Sequence, residues 1–292
     1  AVTGAFTTTG GTVSFNNTAS LASFAGSNAA SVTFVGAVTS TGNFSLAGTS
    51  QVNLIGSLTT GGLTTATGTA LSGVGNISSS ATTTLANDTF TGTGAVTLTG
   101  TVAAFAPNNN TLNSLTINAS SVVFISDLVT NSITTTLGNF DFTNRTLKVG
   151  GSANFAGGAI DFTGSTIDMT ATGSLTQNVN AFNNLTISGG TTTAATAIRI
   201  GGTFQTSTGN FIDNAQTITV NSVGTFAAGT ITATGILNLN DAAVTTNNNS
   251  FNTVTVGGTA TTSITGELNT TGDLTFTGTP TLNMNGNAIN TT

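Results

Sequence analysis

The sequence predicts an all-β fold, a right-handed parallel β-solenoid (β-helix) of roughly 12 to 14 coils. Three observations predict it. Short apolar–polar alternations closed by Gly or Asn recur along the chain, large apolar residues return at nearly constant intervals, and no stretch has helical periodicity. Alternation with period two is typical of strands with one buried face. A nearly constant repeat length over 292 residues is typical of repeat architectures.

The short unit is one strand followed by a tight turn. Phrases of this kind include "TVSFNN", "SVTFVG", "QVNLIG", "TITVNS" and "DLTFTG". Near the N-terminus, large apolar residues follow one another after 9, 9, 10, 10 and 10 positions: Phe6, Phe15, Phe24, Phe34, Phe44 and Leu54. Each interval fits one strand of about five residues plus a turn, so we expect these side chains to point into the core.

A longer period overlies the short one. Related phrases surround Leu115 ("SLTINAS"), Leu185 ("NLTISGG") and Val254 ("TVTVGGT"), which lie 70 and 69 residues apart. We therefore predict a single solenoid domain over residues 1–292, with looser short repeats in 1–114 and about two and a half blocks of ~70 residues in 115–292. At roughly 20 to 25 residues per coil, one block would make about three coils.

The composition suits stacked coils. Only three Lys or Arg and nine Asp or Glu are present, and a charge repeated at one position of every coil would repel its own copies. Asn and Thr can instead hydrogen-bond to their own copies in ladders. We expect amide ladders at Asn108–Asn110, Asn247–Asn249, Asn183 and Asn252.

Several classes of function are disfavoured by what the chain lacks. The net charge is −6 with three cations, so nucleic acid is not an expected partner. Without Cys there is neither a disulfide framework nor a thiolate metal site. Gly, Thr and Asn interrupt every apolar stretch well before the length that a membrane-spanning helix needs, so no membrane span is expected.

Candidate catalytic groups are sparse. Asp161 in "IDF" and Asp168 in "IDM" point outward by alternation, and Asp141 precedes Arg145 and Lys148. We interpret both groups as solvated surface charges, and we predict no catalytic, cofactor-binding or metal-binding residues and no enzymatic activity. The calcium-binding nonapeptide solenoid needs an Asp on each coil, which "GGSANFAGG" does not supply.

The phrases "NLTISGGTTT", "TLKVGGSANFAGGAIDFTGSTIDM" and "DLTFTGTPTLNMNG" resemble the β-strand repeats of large bacterial surface proteins of the filamentous-haemagglutinin and autotransporter-passenger type. The similarity in composition and rhythm covers most of the chain. It implies a β-solenoid exported to the cell surface or beyond it, with the cell surface or an extracellular polysaccharide as candidate partners.

The strand rhythm continues to both termini, which predicts uncapped solenoid ends with unpaired edges. We expect these ends to stack head to tail, making the chain a structural subunit of an extracellular bacterial filament or matrix fibre. A stalk segment of a cell-surface adhesin is the alternative, and a degenerate carbohydrate-active β-helix is a further one.

Ice binding is another alternative. "TLTGT", "TITATG" and "TFTGT" carry Thr-x-Thr, but an ice-binding plane needs that pattern at one place in every coil, and "IRI", "IDF" and "LNL" break the series.

Overall fold

The computed structural model describes residues 4–87, 89–226 and 229–292, with the backbone alone at position 103. The fold class is confirmed: over the described residues the chain is all-β without helix, and its parallel stacked strands form a β-solenoid of about 15 turns. The chain divides into two compact units, residues 1–145 with 157–161 (unit 1) and residues 146–156 with 162–292 (unit 2). Stacked coils build both units, and the single domain over 1–292 stays a prediction.

The strands are short and follow one another closely. The strands up to residue 145 are β1 (Ala5–Thr8), β2 (Thr12–Phe15), β3 (Ala19–Leu21), β4 (Ser23–Gly26), β5 (Ser31–Phe34), β6 (Val38–Leu46), β7 (Gln51–Leu54), β8 (Leu58–Thr65), β9 (Ala70–Gly73), β10 (Ile77–Ser79), β11 (Thr83–Thr84), β12 (Ala95–Ala106), β13 (Thr111–Leu112), β14 (Ser114–Phe124), β15 (Leu128–Thr130) and β16 (Ile133–Asp141). The later strands are β17 (Thr146–Val149), β18 (Ala153–Asn154), β19 (Ala159–Asp161), β20 (Thr166–Met169), β21 (Gly173–Thr176), β22 (Asn184–Ile187), β23 (Thr191–Ala194), β24 (Ile198–Ile200), β25 (Thr203–Thr206), β26 (Asn210–Ile212), β27 (Thr217–Val220), β28 (Val223–Phe226), β29 (Ile231–Thr232), β30 (Ile236–Asn240), β31 (Ala243–Thr245), β32 (Ser250–Phe251), β33 (Thr253–Gly257), β34 (Thr261–Thr265), β35 (Leu268–Thr270), β36 (Leu274–Phe276), β37 (Thr281–Asn283) and β38 (Ile289–Thr291).

In unit 1 the first coil consists of three strand segments, β1, β2 and β3, which pair in parallel with β4, β5 and β6 of the next coil. One sheet then runs in the order β1-β4-β6-β8-β10-β12-β14-β16, and a second runs β2-β5-β7-β9. β13 pairs with β15, and β19 pairs with β16. All of these pairings are parallel, as a solenoid requires.

Unit 2 also has three strand segments per coil. Its sheets run in the orders β18-β21-β23-β26-β29, β17-β20-β22-β25-β28-β31-β34-β37, β24-β27-β30-β33-β36 and β32-β35-β38. Burial alternates along most of these strands, so that every second side chain enters the core. The period-two pattern in the sequence therefore reflects the buried face and the outward face of each strand.

The coil is slightly shorter than expected. Leu237 pairs with Val254, and Thr83 pairs with Phe105, so one coil takes 17 to 22 residues. A block of ~70 residues is therefore not a whole number of coils. Leu185 accordingly lies in β22 of one sheet of unit 2, and Val254 lies in β33 of another. The repeated phrases build different faces and do not stack on each other.

Phenylalanine rings form the core of the first coils of unit 1, as the spacing predicted. Phe24 stacks on Phe44 with ring centroids 4.3 Å apart, and Phe15 stacks on Phe34 at 4.8 Å. Phe24, Phe34 and Phe44 are completely buried. Each such side chain stabilises the fold by about 1.5 to 3 kcal/mol on burial.

Glycines form one corner of unit 1, where successive coils approach closely. At Gly36 a Cβ would lie 2.5 Å from the carbonyl carbon of Asn17, and at Gly56, Gly75 and Gly94 it would collide with the backbone carbonyl one coil earlier. Only a residue without a side chain fits this column, because the obstructing atoms are backbone and cannot rotate away.

Asparagine turns hold the coils together in a way the sequence did not predict. Asn108 and Asn109 adopt positive φ angles, and the Nδ2 of Asn110 donates to the carbonyl oxygens of Pro107 and Ala86, both at 2.7 Å. Asn110 Oδ1 accepts the Phe90 amide at 2.8 Å. The side chain thus bridges two coils through backbone groups.

The expected amide ladders are wrong for Asn110, Asn249 and Asn252. Asn249 repeats the Asn110 arrangement, accepting the Ile231 amide at 3.0 Å, and Asn252 donates to the carbonyl oxygen of Thr234. Amide pairs between coils occur elsewhere: Asn113 with Asn131, Asn221 with Asn240, and Asn269 with Asn290. The turns use Asn where φ is positive, and they use Asn side chains to reach backbone groups of the same turn and of a neighbouring coil.

Three buried threonines of unit 2 have no hydrogen-bond partner for their hydroxyl: Thr192, Thr206 and Thr270. We expect Thr206→Val to raise the free energy of unfolding by about 1 kcal/mol, since the isosteric methyl removes an unsatisfied buried group. The measurement is the urea midpoint. Thr246→Val is the matched control: Thr246 is equally buried but donates to the Glu267 carbonyl at 2.6 Å, so this variant should lose stability.

Candidate functional site

The carboxylates singled out in the sequence are divided between the two units. In unit 1, Asp161 of β19 pairs in register with Asp141 of β16, so two carboxylates occupy adjacent strands. Asp161 is exposed and Asp141 is half-buried, with Asp141 Oδ1 accepting the Thr143 amide at 2.8 Å. Arg145 donates from Nε to the carbonyl oxygen of Phe124 at 3.2 Å. The cation is engaged with backbone, and Asp141 caps its own turn.

In unit 2, Asp168 of β20 pairs in register with Lys148 of β17. Lys148 is exposed, and Asp168 Oδ1 accepts a hydrogen bond from the Ser188 hydroxyl of the next coil. Opposite charges on neighbouring strands stabilise a sheet weakly when they face water. These contacts give Asp168 a structural role that accounts for a carboxylate at this position.

The described residues contain no group of three or more His, Cys, Asp or Glu side chains that could hold a metal ion. A general acid–base pair needs two titratable groups within reach of one substrate atom. Asp141 and Asp161 are two titratable groups in register on adjacent strands, and Asp161 is exposed.

Among the described charged residues, Asp213 is the one that is buried, and sequence reasoning missed it. Its side chain is 2% exposed at the turn after β26. Oδ1 accepts the Thr234 amide at 2.9 Å and the Thr234 hydroxyl at 3.0 Å, and Oδ2 accepts the Gly235 amide at 2.9 Å. These donors lie one coil later, so the carboxylate fastens two coils together.

In the described residues, the outermost strands pair on one side: β1 with β4, β2 with β5 and β3 with β6 in unit 1, and β36, β37 and β38 with one strand each in unit 2. None of these six strands contains a charged residue or Pro, the usual devices that block pairing of exposed edges. Asp273 and Pro280 flank β36 and β37 without lying in them.

Inward-facing apolar side chains are uncovered at these edges. Phe276 of β36 pairs with the completely buried Val256, yet Phe276 is 54% exposed. Ile289 of β38 pairs with the buried Leu268 and is also exposed. At the other edge Phe6 is half-buried, whereas its partner Phe24 is completely buried. Each edge could therefore bury core residues against a further coil.

Comparisons with known proteins give no assignment. A scan against protein-family models finds no match, and searches of curated proteins and of solved structures find no significant match either. The resemblance to filamentous-haemagglutinin and autotransporter-passenger repeats therefore stays an expectation. In the part of the chain that the structure describes, no helix is long and apolar enough to cross a membrane.

Proposed function

We propose that the protein is a structural subunit of an extracellular filament or matrix fibre, in which the β36–β38 edge of one copy stacks on the β1–β3 edge of the next. One observation carries the proposal: inward-facing apolar residues are exposed on the β36–β38 edge, although their partners one coil earlier are fully buried. A contact of this kind joins two different surfaces and need not close into a ring, so it generates a polymer.

Two features make the stacking favourable. Burying the exposed parts of Phe276 and Ile289, 54% and 40% of these residues, against a second copy would contribute about 1 kcal/mol each. The edges also offer strand segments, β1 and β2 on one and β36, β37 and β38 on the other, whose outer backbone N–H and C=O groups can continue the parallel pairing of the coils. We propose no catalytic role for Asp141, Asp168 and Asp213, because they hydrogen-bond within a turn, to a neighbouring strand and to the next coil.

The adhesin stalk is the second candidate, and the same edges favour it. In a stalk, further coils of a longer polypeptide would cover Phe276 and Ile289 where a second copy covers them in a filament. The two candidates therefore differ in what covers the edge: the 292-residue polypeptide assembles by itself in the first and stays monomeric in the second.

Phe276→Asp tests the filament. A carboxylate at this position would have to be buried without a partner when a second copy stacks, so we expect assembly to be lost. The measurement is sedimentation velocity with negative-stain electron microscopy across a concentration series. Val179→Asp is the matched control: Val179 is 79% exposed and lies outside the edge strands, so the variant should polymerise like the unmodified protein.

A polypeptide that remains monomeric at every concentration would contradict the filament and favour the stalk. Equal assembly by Phe276→Asp and the unmodified protein would show that polymerisation uses another surface.

A further inference from the structure

One outward-facing strip of unit 1 carries a hydroxyl group on every coil. It runs along the strand segments of β3, β6, β8, β10, β12, β14 and β16, whose residues pair in register one after another. The members, here called column one, are Ser20, Thr39, Thr59, Ser78, Thr97, Thr116 and Thr134. All are exposed or half-buried, so this column lies on the solvent side of its strands.

A second strip lies two residues further along the same segments. Its members, here called column two, are Thr41, Gly61, Ser80, Thr99, Asn118 and Thr136. Four of their hydroxyls donate to a carbonyl oxygen of the preceding coil: Thr41 to Ala22, Ser80 to Thr60, Thr99 to Ser79 and Thr136 to Ile117, over 3.1 to 3.5 Å. The repeated contact gives these side chains a common orientation.

The two columns together are here called the hydroxyl face. Column one is continuous, whereas column two contains Gly61 and Asn118, and the register shifts at Asn118, which pairs with the exposed Leu137. Neighbours along a strand are two residues apart, about 6.7 Å, and neighbours across strands are about 4.8 Å apart. No member carries a charge or an aromatic ring. One outward column of unit 2, on β17, β20, β22 and β25 of another sheet, is less uniform, because it carries Lys148, Asp168, Thr186 and Gln205.

The phrases that interrupt the Thr-x-Thr series in the sequence lie outside the hydroxyl face. "IRI" and "LNL" lie in β24 and β30 of unit 2, and "IDF" begins in β19, which is not a strand of the hydroxyl face. Over the face itself, Ser or Thr recurs at column one of every successive segment. The interruptions therefore do not disfavour an ice-binding plane in unit 1.

We propose that the hydroxyl face binds ice. Its two spacings are close to oxygen repeats on the surface of hexagonal ice, so a row of hydroxyls can each hydrogen-bond a lattice water. The Thr methyl groups between them order the water that they contact. An uncharged face is compatible with ice as a ligand. Crystalline polysaccharides are usually bound by aromatic rings, which the face lacks.

Thr97→Tyr tests the face at its centre. Thr97 is half-buried between Ser78 and Thr116. A Tyr at this position would project beyond the hydroxyl face, and Tyr is a residue that favours β-strands. We expect the unmodified 292-residue protein to show thermal hysteresis and to shape ice crystals, and Thr97→Tyr to lose most of the hysteresis. Circular dichroism melting checks that the variant folds.

Thr33→Tyr is the matched control. Thr33 is also outward and half-buried in unit 1, but it lies on β5 between Ser14 and Asn53, away from the hydroxyl face. This variant should keep full hysteresis. A second variant, Ser78→Thr, adds a methyl group between Thr59 and Thr97 of column one and should increase the hysteresis.

The proposal is overturned if the unmodified protein shows no hysteresis, or if Thr97→Tyr and Thr33→Tyr behave alike. Retention on crystalline cellulose without hysteresis would assign the face to a polysaccharide and would equally overturn it.

Discussion

Asp213→Ala is expected to lower the free energy of unfolding by about 3 kcal/mol, because each buried donor left without an acceptor costs about 1 to 3 kcal/mol. The Thr234 and Gly235 amides both depend on this carboxylate and lie one coil away from it. Ala215 is less affected, because its amide also donates to the Thr234 hydroxyl at 3.0 Å. The loss should therefore concentrate in the contact between these two coils.

Urea denaturation followed by circular dichroism measures the loss, and amide hydrogen exchange at Thr234 and Gly235 locates it. Asp213→Asn should be intermediate, since the amide keeps one acceptor oxygen but turns an N–H toward one of the donors. Asp273→Ala is the matched control: Asp273 is exposed, so its removal should change stability by less than about 0.5 kcal/mol. Equal stability of Asp213→Ala and Asp273→Ala would contradict this role.

The strand rhythm could be predicted from sequence because it is a local property. A residue such as Phe34 points inward because its neighbours Thr33 and Val35 point outward, and this alternation is readable in any short window. Spacings of 9 and 10 residues then indicated the strand-and-turn unit. They could not indicate the coil length, which depends on how many such intervals close one turn. The structure uses two, because Phe6 pairs with Phe24, and three shorter strand segments share them.

The coil contacts could not be predicted, because they join residues one turn apart and the length of a turn varies. Asp213 stands in "NFIDNAQ", where it looks like an ordinary turn residue before Asn214. Its burial depends on Thr234 and Gly235, which reach it from the next coil. The available signal was an Asp directly after an apolar strand and before positive-φ residues, which many exposed turns share.

The hydroxyl face illustrates the same limit. Thr97 and Thr116 are 19 residues apart, whereas Thr39 and Thr59 are 20 apart, so a fixed period misaligns the column. "Thr-x-Thr" is also the ordinary outward pattern of a strand. Only the register of the paired strands shows which threonines are aligned on neighbouring coils.

Gly75→Ala is expected to cost about 3 kcal/mol or more of unfolding free energy, although it adds one methyl group. The new Cβ would collide with the Gly56 carbonyl oxygen and lie 2.9 Å from its carbon, and both atoms belong to the backbone of the preceding coil. Relief requires the two coils to separate at this corner, which weakens the pairing on both flanking faces. The Gly75 amide donates to the Leu54 carbonyl at 2.9 Å, so this hydrogen bond should lengthen as well.

Gly10→Ala provides the comparison within unit 1. The nearest atom to a Cβ on Gly10 is the Asn28 carbonyl oxygen at 3.6 Å, an ordinary contact, so this variant should stay within about 0.5 kcal/mol of the unmodified protein. Urea midpoints of the two variants decide the matter. Similar midpoints would mean that two coils can separate at this corner at little cost in free energy. The close stacking that keeps the hydroxyl face in register would then not depend on the glycine column.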